Sequence, residues 1–169
     1  MLSDLVAPSP PTLTAEDLSA MLASMPPKDV GRLMLDLGRE RIAAYVHCLD
    51  MGIVPATHHL LLIEHLEALE RGDIKKLMVF MPPGSAKSTY TSVIFPAWYL
   101  GRHPDHLVLA ASNTHDLAND FGRKVRNLYD SIEHTNVFGV QLSKDSRASD
   151  NWATIQGGGY YAAGVGSAI

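Results

Sequence analysis

Met78-Val79-Phe80-Met81-Pro82-Pro83-Gly84-Ser85-Ala86-Lys87-Ser88-Thr89 is the stretch on which the reading of the chain turns. An apolar run, a Pro-Pro-Gly turn and a Lys-Ser-Thr triplet follow one another, the order of strand, loop and helix. In such a loop successive backbone N–H groups converge on phosphate oxygens, and a lysine neutralises the β and γ charge. A hydroxyl directly after the lysine ligates Mg²⁺. Lys87 is the candidate lysine, Ser88 the candidate metal ligand, and Thr89 a supporting hydroxyl. The pattern G-x-x-x-x-G-K-[ST] is met only in part, because Met81 and Ala86 stand at its two glycine positions. Alanine at 86 costs little if that residue is right-handed. An ordinary strand-to-helix turn carrying a surface lysine is the competing reading.

Outward from this loop the pattern is regular. Upstream, residues 57–71 read as a helix capped by Thr57, with Leu60, Leu61, Ile63, Leu66 and Leu69 apolar and Gly72 ending it. Residues 75–80 are expected to be a short buried strand, because Leu77, Met78, Val79 and Phe80 form a continuous apolar run. Downstream, residues 87–100 read as helix and residues 106–111 as a second buried strand. A further helix reaches residue 131, capped by Asn113 or Thr114, with Leu117, Phe121, Val125 and Leu128 inward. Helix, strand, loop, helix, strand and helix is the order of a parallel α/β sheet. Trp152-Ala153-Thr154-Ile155-Gln156, three glycines, then Tyr160-Tyr161-Ala162-Ala163 reads as a C-terminal β-hairpin.

The first third is different. Residues 1–13 hold Pro8, Ser9, Pro10 and Pro11 without periodicity and read as a flexible tail. Thr14 opens a helix by a capping box, burying Leu18, Met21, Leu22 and Met25 before Pro26-Pro27. Residues 28–51 continue as helix, with a break expected near Gly38. The expected division is a tail over 1–13, a helical arm over 14–55 joined weakly to the rest, and a partial P-loop ATPase domain over 56–169.

Composition narrows the function classes. Of 169 residues, 46% are hydrophobic and 19% charged, which excludes wholesale disorder and allows one sizeable core. Fourteen Lys+Arg against eighteen Asp+Glu give a net charge of −4, so nucleic acid is not held by bulk charge. One cysteine, Cys48, excludes an internal disulfide and an all-cysteine zinc site. No apolar run spans a membrane and no secretory signal begins the chain, which points to a soluble cytoplasmic protein.

Weaker candidates are set against plainer readings. His58, His59 and His65 lack partner ligands at usable spacing and read as capping and polar-face residues. Arg123, Lys124 and Arg126 make a small basic patch, more simply a solvated helix face than a nucleic-acid contact. Ser112-Asn113-Thr114 follows the second strand, where α/β sheets hold ligands, and serves equally well as an N-cap. Trp152, Tyr160 and Tyr161 read as hairpin packing before base stacking.

Residues 58–169 resemble the N-terminal ATPase region of the large terminase subunit of tailed bacteriophages. Several blocks in order carry the resemblance: His58-His59-Leu60, Pro82-Pro83-Gly84-Ser85-Ala86-Lys87-Ser88, Phe95-Pro96-Ala97-Trp98-Tyr99-Leu100-Gly101, Ala111-Ser112-Asn113-Thr114, and Trp152-Ala153-Thr154 with the glycines after it. The family often has Pro-Pro-Arg-His-Gly-Lys-Ser at the loop, so its arginine is Gly84 here. The resemblance implies a P-loop NTPase-type fold that binds ATP and Mg²⁺. Lys87 (catalytic) and Ser88 (metal) would be direct carriers, with Gly84, Ser85, Ala86 and Thr89 giving backbone amides or support. It implies adenine contacts upstream of the loop, near His58 and His59. It implies a viral DNA-packaging motor that couples ATP hydrolysis to translocation of duplex DNA into the procapsid, with a nuclease. Its partners would be a portal protein and a small terminase subunit, with homo-oligomers on the portal. No apolar run ending in Asp or Glu follows Lys87, so the Walker B and nuclease acids would lie after Ile169 and this chain alone would be inactive. The alternatives are a truncated prophage-derived binding or regulatory protein and a helicase-like ATPase fragment.

Overall fold

A computed structural model describes residues 20, 22–49, 51–148 and 150–165, without the side chains of residues 145–147. The expected tail over 1–13 and most of the helix expected over 14–25 lie outside the described residues. The chain divides into two compact units, one ending at Leu33 and one beginning at Met34. Everything that follows from Met34 onward belongs to the second.

Helix α1 (Pro27–Glu40) and helix α2 (Ile42–Cys48) are separated at Arg41, whose backbone is extended. The break falls three residues beyond Gly38, which is buried and packed closely against Cys48 and Val137, where a Cβ would meet the thiol sulfur at 3.2 Å. Helix α3 (Thr57–Glu70) follows, with Ala56 and not Thr57 as its N-cap. Its inward face is Leu62, Ile63, Leu66 and Glu67, whereas Leu60 and Leu61 point to solvent. Glu67 is buried because it has two partners at the start of α2. The Ile42 N–H donates to Oε1 at 2.8 Å, and the Arg41 guanidinium lies 2.9 Å from Oε2. A carboxylate there satisfies an orphan amide and faces the positive end of the helix.

Residues 75–80 are not a strand. Leu77 and Val79 are half-buried against the helices, while Met78 and Phe80 are 78% and 84% exposed. Apolar composition satisfies only one requirement of a strand. No described strand lies beside this segment to take its backbone hydrogen bonds, so it stays irregular.

Helical turns then run from Lys87 to Arg102 in three pieces: α4 (Lys87–Thr89), a π-helical turn (Tyr90–Ile94) and α5 (Phe95–Arg102). Pro96 has no N–H to give to the preceding turn, and the Phe95 N–H reaches Tyr90 O, five residues back. Strand β1 (Leu107–Ser112), helix α6 (His115–Tyr129), helix α7 (Ile132–Phe138), and strands β2 (Leu142–Arg147), β3 (Asn151–Thr154) and β4 (Gly159–Gly164) complete the order.

The four strands form one mixed sheet in the order β1-β4-β3-β2, with β1 and β4 parallel and the other pairs antiparallel. The expected hairpin is present as β3 and β4, but it belongs to the same sheet as β1, so the expected purely parallel sheet becomes a mixed one. Close backbone approach explains this joint. Gly158 donates its N–H to Pro104 O, and a Cβ on it would lie 2.3 Å from His106 O. Strand β1 is at an edge and is not fully buried as expected, with Leu107 80% and Leu109 61% exposed.

Two apolar clusters hold the unit. One joins Ile42, Tyr45, Leu66, Tyr90, Ile94 and Trp98, drawing on α2, α3, the π turn and α5. The other joins Leu100, Val125, Tyr129, Trp152 and Tyr160 between α5, α6 and the sheet. Leu128 and Phe138 touch both. His134, on α7, is fully buried with its Nδ1 2.7 Å from the Tyr45 hydroxyl, and its ring lies 4.5 Å from that of Tyr129.

Candidate functional site: the loop before Lys87

Residues 81–89 line an open pocket of about 380 Å³, with Gly84, Ser85, Ala86, Lys87, Ser88 and Thr89 in its wall. The six residues singled out from the sequence are contiguous, so what the structure adds is their backbone geometry. Gly84 has φ 78° and Ala86 has φ 54°, ψ 17°, both left-handed. Ala86 is therefore a correction, since alanine was expected to be tolerated in a right-handed conformation. The chain must reverse from the Pro-Pro-Gly turn into the helical turns, and a left-handed residue directly before right-handed Lys87 makes that reversal. Such a pair turns consecutive N–H groups toward one concavity, a geometry that receives anions. An L-residue there carries strain, because its Cβ crowds the following carbonyl.

The rest of the loop is held by short contacts. The Ser85 N–H donates to Pro82 O at 3.3 Å, closing the turn. The Thr91 hydroxyl donates to Lys87 O at 3.0 Å, which ties the first helical turn to the π turn. Ser85 Oγ is buried with no hydrogen-bond partner among the described residues. An orphaned hydroxyl beside a polar cavity fits a bound group with oxygens to share. No carboxylate lines this cavity.

His59 joins the loop from α3. The Ala56 N–H donates to its Nδ1 at 3.1 Å, and its Nε2 lies 3.0 Å from Ser85 O. The ring stacks on Tyr90 with centroids 4.6 Å apart and planes inclined by 26°. The family resemblance implied adenine contacts near His59; its position as third residue of a helix accounts for the reach back to the Ala56 cap, and nothing in the sequence marked its contact with the loop. Beside it, His58, Leu61, Leu62 and His65 form, with residues 77–81, a groove of about 250 Å³.

The remaining candidates sit elsewhere. Thr114 is the N-cap of α6, accepting from the Leu117 N–H at 3.2 Å, and Ser112 O accepts from Val165. Arg123 and Lys124 share one carboxylate, Asp120, at 2.5 and 2.6 Å, and Arg126 bonds the neutral Asn127, so two of the three cations are paired along their own helix. Trp152 and Tyr160 are buried and stacked on one another, so they serve the core. Among the described residues no group of three or more His, Cys, Asp or Glu side chains is placed to hold a metal ion, and no helix is long and apolar enough to cross a membrane.

An α/β domain whose helix-opening loop sets a lysine and two hydroxyls around a backbone-lined cavity is the class these observations define. A family model described as the N-terminal part of the terminase large subunit, T4likevirus-type, matches residues 78–169, more than half of the chain. The chain belongs to this terminase large subunit family, whose members are components of the viral DNA-packaging motor. Neither a curated protein nor a solved structure matches it.

Proposed function

We propose that the loop over residues 84–89 binds the phosphates of ATP with Mg²⁺, as the nucleotide site of a phage DNA-packaging motor. The observation that carries this is the left-handed Ala86 directly before Lys87 and Ser88, in a loop that lines its own open pocket. Lys87 would neutralise charge on the β and γ phosphates, Ser88 would ligate the metal, and the amides of Gly84, Ala86 and Thr89 would surround the phosphate oxygens, with Ser85, whose N–H is taken by Pro82 O, in support. Mg²⁺ held at the Ser88 hydroxyl would supply further charge compensation to the phosphates. With no carboxylate in the lining, the chain alone would bind nucleotide without efficient turnover. In the motor, the site would power translocation of duplex DNA in the host cytoplasm, in homo-oligomers assembled with a portal protein and a small subunit. Family membership supports that role.

Calorimetric titration of the 169-residue chain with MgADP tests the reading. The wild-type chain is expected to bind, and Lys87→Ala to lose at least about tenfold in affinity, the scale of one charge-assisted contact, at an unchanged melting temperature. No binding by the wild type, or equal binding by the variant, would overturn it. ATP turnover above the buffer rate that disappears in Lys87→Ala would show that the chain needs no further acid.

A further inference from the structure

We infer that His59 is a positioning residue of this loop, holding the Ser85–Ala86 peptide so that the Ala86 N–H faces the cavity. The inference rests on the nucleotide-binding reading above and concerns how the site is kept in shape. Its starting point is the ring's two hydrogen bonds. The Ala56 N–H donates to Nδ1, so Nδ1 carries a lone pair and no proton. In the neutral ring the proton is then on Nε2, 3.0 Å from the Ser85 carbonyl, which can only accept. The hydrogen bond from Nε2–H to Ser85 O is thereby defined in direction.

Peptide planarity carries the effect into the loop. No cis peptide occurs among the described residues, and in a trans peptide the C=O and the next N–H point opposite ways. With the Ser85 carbonyl turned toward α3, the Ala86 N–H is turned away from it. Among the described residues that amide has no acceptor, and Ala86 lines the cavity. The same bond opposes rotation of the peptide that would release Ala86 from its strained conformation; such strain persists only where neighbours over-determine the backbone. The ring itself is fixed by stacking on Tyr90 and by His58, whose ring centroid lies 3.9 Å away.

Two substitutions separate the ring's two bonds. His59→Asn puts an acceptor near the Nδ1 position and keeps the contact with Ala56, but falls short of Ser85. His59→Gln puts an amide donor near the Nε2 position and keeps the contact with Ser85. Binding of MgADP and of inorganic pyrophosphate is expected to weaken about tenfold in His59→Asn and to stay within about threefold of wild type in His59→Gln. Pyrophosphate binding unchanged in His59→Asn would overturn the inference, and a loss for MgADP alone would mean that the ring touches the base instead. A second readout needs no nucleotide. In ¹⁵N spectra of the free chain, the His59 proton is expected on Nε2, and the amide signals of residues 84–88 should shift in His59→Asn and return in His59→Gln. A proton on Nδ1, or unshifted loop amides in His59→Asn, would overturn the inference. If the wild type binds neither probe, the nucleotide-binding reading falls while these spectra still decide the role of His59.

Discussion

Ala86 is the residue at which local energetics and the proposed chemistry pull against one another. Its left-handed backbone suits the cavity, and its Cβ does not suit that backbone. Glycine at this position removes the crowding and adds unfolded-state freedom, so the two effects partly cancel. Ala86→Gly is expected to stabilise the chain by about 0.5–1 kcal/mol, because relief of left-handed strain outweighs the added entropy. Urea unfolding would measure it, and a variant less stable than wild type would mean that the strain is not there. The motif at Lys87 and Ser88 was legible because identity and spacing are sequence properties. The sign of φ at 86 was not, since alanine populates the right-handed region by default. The contact of His59 with Ser85 was not either, because it depends on which ring nitrogen carries the proton.

Among the elements, β1 is the most exposed to misassociation. Among the described residues it pairs with β4 on one side only, leaving its other edge without a strand partner, and Leu107 and Leu109 are exposed. Edges of this kind attract other strands unless a charge interrupts them. Leu109→Lys is expected to keep the chain monomeric at concentrations where wild type self-associates, as read by sedimentation velocity. Identical profiles for the two would show that β1 is not the contact. Helix α3 and strand β1 were legible from apolar spacing, and the hairpin from its glycines. Residues 75–80 were misread because an apolar run says nothing about a ladder partner. Helix α7 and strand β2 were missed because residues 132–147 are mostly polar and lack a clear period.

At the scale of the whole unit, His134 stands where the two apolar clusters meet, touching Tyr45 of one and Tyr129 of the other. Burial holds its imidazole neutral, with a pKa lowered from 6.5 to about 3. The unfolded chain takes up a proton below about pH 6.5 that the folded chain refuses until about pH 3. Stability therefore falls on acidification through that window, by up to about 1.4 kcal/mol per pH unit. Urea midpoints taken between pH 7 and pH 4 should decline more steeply for wild type than for His134→Gln, and parallel declines would assign the slope to other groups. The sheet also sets an order of events. Strand β4 lies between β1 and β3, yet Leu107 must wait for Gly159 before it has a partner. Parallel pairing across such a distance closes a long loop and is slow. On the ribosome, β1 emerges with both edges bare and stays so until nearly all of the described chain has been made. Early arrest of synthesis would leave an adhesive strand, and a holding chaperone would have its main task in that interval.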